Sequence, residues 1–369
     1  MKLTIARGVI ILFILIPVTV ISQREIKRPV ISGYYAGSLT AIDSFSVNKL
    51  DYIIFSFCHL KDNQLHVGSN KDSLLIQKMA GYKINNPGLK IILSLGGWGG
   101  CRDCSPVFST KTGRKEFAKS TRELLDYFNA DGIDLDWEYP AVAGYPGHPY
   151  SLDDKENFTA LIKMLRRKLG KKKEISFAAG GLSNCIDSSF EWKKVMQKAD
   201  KVNLMSYDLV NGYSTQTGHH TPLYSNAVQK ESTANAVDKM IAAGVPSNKI
   251  IIGAAIYARF FEVSDTLNNG LYRPAIFQRG VSYKNIYDSL DTAKGFIKYF
   301  DPVSKAPYAF NSNRKLFVTY DDSISVSEKM QYIKQKKLGG IMFWQIMDDR
   351  FENGLLDVMY QRRKENEEE

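Results

Sequence analysis

At 369 residues, with 44% hydrophobic and 24% charged residues, the chain has a globular composition, which excludes a disordered or collagen-like protein. It is long enough to bury a large core without disulfides, and its length fits either two domains or one α/β barrel. Lys and Arg outnumber Asp and Glu by 49 to 39, a net charge of +10. No zinc-finger, RRM-like or helix-turn-helix pattern accompanies the basic runs Arg166-Arg167-Lys168, Lys171-Lys172-Lys173 and Lys334 with Lys336-Lys337. They are expected to be solvated, with no nucleic-acid partner.

The first 22 residues have the layout of an export signal. Lys2 and Arg7 precede the apolar run Val9 to Ile21, and Val20-Ile21-Ser22 supplies tolerated residues at the cleavage positions before Gln23. The run is 13 residues long and contains Pro17, which is short for a membrane span. A signal peptide over 1–22 is expected, with a secreted or periplasmic mature protein of net charge +8 and no stable membrane anchor. An uncleaved signal anchor is the alternative.

Short apolar runs then recur between helical patterns. Strands are predicted over 30–35, 52–57, 90–95, 132–137, 175–179, 202–207, 250–257 and 340–344, all rich in Ile, Val, Phe and Tyr. Near-continuous apolar runs suit parallel strands buried on both faces. A helix is predicted at 114–129, with Phe117, Thr121, Leu124, Leu125 and Phe128 on one face. Another starts at Ser151, where Asp154 completes a capping box, and ends at Gly170. Two more run from Ser232 to Gly244 and through Val326, Met330 and Ile333.

Eight strands alternating with helices predict an α/β chain, a (β/α)8 TIM barrel over 23–257 and 317–360. A doubly wound open sheet is the alternative, but no G-x-G-x-x-G follows the first strand. Residues 258–316 are too many for one helix and carry β-type stretches at 283–286, 295–300 and 306–310, which predicts a small α+β insertion. Residues 361–369 are expected to form a charged, solvated tail.

The chain has four cysteines. Cys101-Arg-Asp-Cys104 is expected to close a local disulfide in an exported protein, since one CxxC without a second pair is weak evidence for a metal. Cys58, inside a strand, is expected to be a buried thiol. His219-His220 has no acid or Cys at ligand spacing and is expected to line a cleft at most. Neither a metal nor a cofactor is expected.

The chemistry is concentrated in Asp131-Gly-Ile-Asp134-Leu-Asp136-Trp-Glu138-Tyr-Pro. Residues two apart share a strand face, so Asp134, Asp136 and Glu138 form a row of about 13 Å at roughly 3.3 Å per residue. Leu135, Trp137 and Asp131 face the other way. Carboxyls crowded on the inner face of a buried strand cannot all ionise, and repulsion with desolvation must raise at least one pKa. Barrel active sites lie at the C-terminal strand ends, which puts Glu138 at the mouth, Asp136 below it and Asp134 deepest. A carboxyl kept protonated near neutral pH suits general acid catalysis. The alternatives are a solvated acidic loop, for which the segment is too apolar, and a calcium or magnesium site, for which no further oxygen cluster is evident.

The D-x-x-D-x-D-x-E pattern of Asp131, Asp134, Asp136 and Glu138 resembles that of glycoside hydrolase family 18, the chitinases. Ser94-Leu-Gly96-Gly97-Trp98 resembles the family's third-strand S-x-G-G motif. Met205-Ser-Tyr207-Asp208 resembles its sixth-strand M-x-Y-D, and Tyr257-Ala-Arg259 resembles the Y-x-R after strand seven. Gly339-Gly-Ile-Met-Phe-Trp344 resembles the eighth-strand segment that ends in a floor tryptophan. The likeness runs from Val30 to about Asp349, and the insertion resembles that of the deep-cleft chitinase branch. Gly253-Ala254-Ala255 departs from the family's frequent G-x-P, and Ala258 replaces a Gly.

The resemblance implies a secreted, monomeric chitinase acting on chitin or chitooligosaccharides without a cofactor, by a substrate-assisted route that retains configuration. It implies that Glu138 is the proton donor, that Asp136 orients the substrate acetamido group, that Asp134 shares charge with Asp136, and that Tyr207 holds the acetamido oxygen. Tyr34, Gly97, Trp98, Tyr139, Met205, Asp208, Tyr257, Arg259 and Trp344 are the implied substrate-binding residues. Two alternatives stand beside it. An endo-β-N-acetylglucosaminidase usually lacks the insertion, and a non-catalytic chitin-binding lectin typically replaces the acid at the Glu138 position.

Overall fold

The computed structural model describes residues 28–368, and the expected export signal lies outside the described residues. Eight parallel strands form a closed barrel: β1 (Val30–Tyr35), β2 (Tyr52–Lys61), β3 (Lys90–Gly96), β4 (Gly132–Asp136), β5 (Glu174–Gly180), β6 (Lys201–Met205), β7 (Ile250–Ala255) and β8 (Gly340–Trp344). Each pairs with its successor and β8 pairs with β1, so the barrel has no open edge.

All eight predicted strands are present, with shifted ends. β2 runs on to Lys61 because it turns into a hairpin with Gln64–His66. β4 and β6 stop at Asp136 and Met205, so Trp137 and Tyr207 lie just past the ladder. β7 stops at Ala255, and Tyr257 opens a second sheet.

The helix Lys111–Tyr127 begins earlier than the periodicity suggests because Thr110 caps it, accepting from Gly113 N–H at 2.9 Å. Half of the predicted box at Ser151 forms: the buried Asp154 carboxylate accepts from Ser151 N–H at 2.8 Å and from Ser105 Oγ at 3.0 Å. The helix itself starts at Asp154 and ends at Leu169 before Gly170. Ser232 caps Thr233–Ala242 by accepting from Asn235 N–H at 3.1 Å.

Strand alternation sorts two cores. The outward phase, with Ile53, Phe55, Ile91, Leu93, Ile133 and Leu135, packs against helix residues such as Phe117, Phe158, Leu161 and Leu165. The inward phase, with Tyr34, Ile54, Ile92, Met205, Ile251 and Met342, fills the barrel.

At the N-terminal end of the barrel, three aspartates tie alternate strand pairs. Asp51, Asp131 and Asp200 immediately precede β2, β4 and β6. Each accepts the N–H of the second residue of the preceding strand, from Ile31, Ile91 and Ile175, all at 2.8 Å. Each also meets a cation: Asp51 pairs with Arg28 at 2.6 Å and Arg363 at 2.5 Å, Asp131 with Lys83 at 3.1 Å and Asp200 with Arg166 at 2.5 Å. The first acid of the four-acid motif is therefore a strand tie, at the far end of β4 from Glu138.

The expected insertion is a five-stranded antiparallel sheet in the order 275–282, 257–263, 316–319, 306–311, 297–301. Its strands begin at Tyr257 and end at Thr319, slightly wider than 258–316. The stretch 283–286 is helical instead of extended: a 3-10 turn at Tyr283–Asn285 runs into the helix Ile286–Ser289, with Tyr283 and Ile286 buried. Residues 361–368 of the segment expected to be a solvated tail belong to the helix Leu355–Glu368. Arg363 within it is buried, because its guanidinium reaches Asp51.

Replacing Asp131 by Ala removes the part-buried acceptor of Ile91 N–H and the ion-pair partner of Lys83. The expected loss of stability is about 1–3 kcal/mol, read from urea unfolding midpoints. A loss below about 0.5 kcal/mol, the level of an ordinary surface change, contradicts the strand-tie role.

Candidate active site

Asp134 is fully buried in the barrel and accepts from four other strands. Tyr34 Oη (β1, 3.1 Å) and Ser94 Oγ (β3, 2.8 Å) donate to Oδ2, while Ser176 Oγ (β5, 2.7 Å) and Asn203 Nδ2 (β6, 3.0 Å) donate to Oδ1. Burial raises its pKa and the four donors oppose that rise. A polar side chain on the inward phase of an otherwise apolar strand is the signal that could have marked Ser94, Ser176 and Asn203 in the sequence.

Asp136 is two residues further on and nearly as buried, but its Oδ1 has no hydrogen-bond partner. Burial first, then the charges of Glu138 and Asp134, push its pKa well up. Of the two buried aspartates it is therefore the one disposed to hold a proton. Glu138 lies past the strand end and is partly exposed. Its pKa is pushed up to about 7, chiefly by desolvation and further by Asp208, while a hydrogen bond from Tyr139 opposes the shift. The ladder stops short of Glu138, yet the row keeps its depth order: Asp134 deepest, Asp136 next, Glu138 at the rim.

The glycines beside this row permit a close approach. Gly97 N–H donates to Asp136 O at 3.0 Å. A Cβ at Gly96 would come within 2.2 Å of that same oxygen, and one at Gly97, whose φ is +77°, within 2.4 Å of the Phe57 ring.

Aromatic rings surround the acids. Tyr34, Met205 and Tyr207 share the inner cluster, with Tyr139, Tyr257 and Trp344 packed on it. Tyr207 Oη has only a weak partner in Met342 Sδ at 3.9 Å. Trp344, at the end of β8, is partly exposed and stacks at 5.6 Å and 13° on Phe57, which the sequence did not single out. Trp98 stands half exposed at the rim, 5.5 Å from Tyr145 and 6.2 Å from Tyr213. Both tyrosines lie in loops that carry no strand or helix periodicity, so nothing in the sequence pattern marked them. The Cys101–Cys104 disulfide closes the loop that follows Trp98, while Cys58 and Cys185 are buried and unpaired.

Arg259, from the insertion, forms a two-pronged ion pair with Asp208, whose Oδ2 lies 2.5 Å from Nη2 and whose Oδ1 meets Nε. Desolvation raises the pKa of Asp208, but the Arg259 ion pair and the nearby His220 ring outweigh it and hold the carboxyl down to about 2. The two histidines do not line the cleft as expected. Both are fully buried, His220 with Nδ1 3.6 Å from Asp208 Oδ1, and His219 with Nε2 3.1 Å from Asp301 Oδ2 at the junction with the insertion. They sit there because the segment after β6 passes under the insertion sheet, where His220 N–H donates to Thr319 Oγ1.

The family model for glycosyl hydrolases family 18 matches residues 30–349. Chitotriosidase-1 of Mus musculus is 33% identical over 328 residues, covering 82% of this chain and 68% of that protein. Chitinase A1 of Niallia circulans is 32% identical over 299 residues, covering 74% of this chain and 43% of that protein. Among solved structures, a glycoside hydrolase family 18 N-acetylglucosaminidase from Paenibacillus barengoltzii superposes with a TM-score of 0.83 at 34% identity, covering 90% of this chain and 99% of that one.

Glu138 is expected to titrate near pH 7 in carboxyl-resolved 13C NMR. The Asp208→Asn variant should titrate lower, because it removes a nearby anion and frees the Arg259 cation. A Glu138 midpoint close to that of an ordinary glutamate, or an upward shift in the variant, contradicts this electrostatic picture.

Proposed function

We propose, from the premise that this chain belongs to glycosyl hydrolases family 18 and is a glycoside hydrolase, that it cleaves β-1,4 bonds between N-acetylglucosamine units of chitin and chitooligosaccharides. The observation that carries the reading is the pairing of Glu138, held near pH 7, with a buried Asp136 that has an unpartnered oxygen. One carboxyl can donate a proton at neutral pH, and the next keeps a buried oxygen with no partner of its own.

In the proposed reaction Glu138 gives its proton to the glycosidic oxygen. The substrate's own acetamido oxygen attacks C1 and forms an oxazolinium ion. Asp136 accepts from the acetamido N–H and orients the group, and as its own proton is shared toward Asp134 the pair carries the negative charge that faces the oxazolinium ion. Tyr207, whose hydroxyl has only a thioether partner, donates to the acetamido oxygen. Glu138 then takes a proton from water, which attacks C1 from the side of the departed group, so configuration is retained. Trp344 forms the floor beneath the sugar at the bond, and Trp98 offers a ring further along the cleft. Tyr34, Gly97, Tyr139, Met205, Asp208, Tyr257 and Arg259 shape the pocket. The run 9–21 is proposed to export the protein, and no described helix is long and apolar enough to cross a membrane.

The likeness to an N-acetylglucosaminidase favours a second reading of the same chemistry, release of single sugars. Product analysis separates the two, disaccharide and longer fragments in the first reading and monosaccharide in the second.

Glu138→Gln is expected to lower turnover of chitooligosaccharides by about 10²–10⁴-fold with unchanged folding, and wild-type kcat to fall as pH rises through about 7, where the acid is lost. Equal turnover in the variant, or inversion at the anomeric carbon by NMR, would falsify the mechanism. Cleavage of a high-mannose glycopeptide with no action on chitooligosaccharides rejects the substrate.

A further inference from the structure

Residues 163–201 hold eleven of the 49 Lys and Arg but only four of the 39 Asp and Glu, leaving 38 against 35 in the rest of the chain. The positive excess is therefore local, and the fold gathers it onto one face. The helix Asp154–Leu169 descends to the N-terminal end of the barrel, 170–173 turns into β5, and the helix Trp192–Met196 leads to β6.

Arg166 locks these segments together. Its Nε donates to Lys198 O at 2.8 Å, its Nη1 to Gly170 O at 2.6 Å and Lys173 O at 2.9 Å, and its Nη2 pairs with Asp200 at 2.5 Å. This holds the backbone of 170–173 and of Lys198 against the helix end that carries Arg167 and Lys168, and so brings Lys171, Lys172 and Lys198 to the same end of the barrel. Lys193 extends the face toward the next helix end, lying against Gly244. All six are exposed, and among the described residues none of them forms an ion pair. A rigid, unneutralised cationic face repels itself, and an external anion relieves that repulsion.

We infer that this basal face is a docking surface for an anionic polysaccharide. No large apolar side chain is exposed between 163 and 201, and the one exposed ring at the border, Tyr127 beside the Asp126 that pairs with Lys173, is too little to anchor the face in a bilayer or to stack a run of bases. A linear chain of sulfates or carboxylates needs only spaced cations, and six exposed ones are carried here on a backbone that Arg166 locks. The face lies at the opposite end of the strands from Glu138, so a bound polyanion leaves the cleft open. It depends on none of the chemistry proposed for the cleft.

The test uses the full-length protein and heparin as the probe, with affinity measured against NaCl concentration. Affinity should fall steeply with salt, because each contact releases condensed counterions. Lys168→Glu/Lys171→Glu/Lys172→Glu should weaken heparin binding tenfold or more and flatten the salt slope, with turnover of soluble chitooligosaccharides unchanged. The neutral triple Lys168→Gln/Lys171→Gln/Lys172→Gln should show the same direction and guards against a folding defect. A control, Lys71→Glu/Lys111→Glu/Lys115→Glu, makes an equal charge change elsewhere and should bind nearly as wild type. Unchanged affinity in the basal variants, equal loss in the control, or tighter binding to duplex DNA or phosphatidylglycerol vesicles than to heparin overturns the proposal.

Discussion

A carboxylate placed at the centre of a barrel has to be solvated by the protein, since water is excluded there. Asp134 meets that demand with one donor from each of β1, β3, β5 and β6, so five of the eight strands are joined through a single side chain. The positions of Asp136 and Glu138 follow, because they continue the same strand toward the mouth. Asp134 has its oxygens satisfied and Asp136 does not. That difference pushes the proton onto the second group and lets the third respond to a crowded, partly desolvated rim.

The two ends of the barrel handle charge differently. At the N-terminal end, each aspartate is matched by a backbone N–H and a cation, which stiffens the closure. Toward the C-terminal end, Asp134, Asp136 and Glu138 are held in one row without a cation among them, and Asp208 is the anion that Arg259 neutralises. Arg259 belongs to the insertion, so that sheet supplies charge to the mouth as well as a wall. The chain thereby separates a stabilising end from a reactive one along strands of 5 to 10 residues.

Much of this was legible in the sequence because strand alternation is a simple code. The phase of Asp134, Asp136 and Glu138 could be read from spacing alone, and the apolar runs located all eight strands. What escaped depends on distant partners. Phe57 becomes notable only when β8 brings Trp344 onto it. Nothing near His219 and His220 in sequence indicates that they lie beneath the insertion, because Asp301 is 82 residues from His219. The final helix looked like a tail because its composition is polar. Its docking rests on Arg363 reaching Asp51, a contact 312 residues apart. Strand ends were misplaced by a residue or two where the apolar run continues past the last ladder bond, as at Trp137.

Asp51 binds Arg28 through one oxygen and Arg363 through the other. The first described residues and the last helix therefore meet on a single carboxylate, a few ångströms apart. Strand pairing already makes the barrel a ring, and this contact brings its covalent thread almost full circle. The order in which the βα units are threaded is thus separable from their arrangement in space: a short linker across Asp51, with new ends opened in an exposed loop, would give a circularly permuted chain with the same neighbours around the same row of acids.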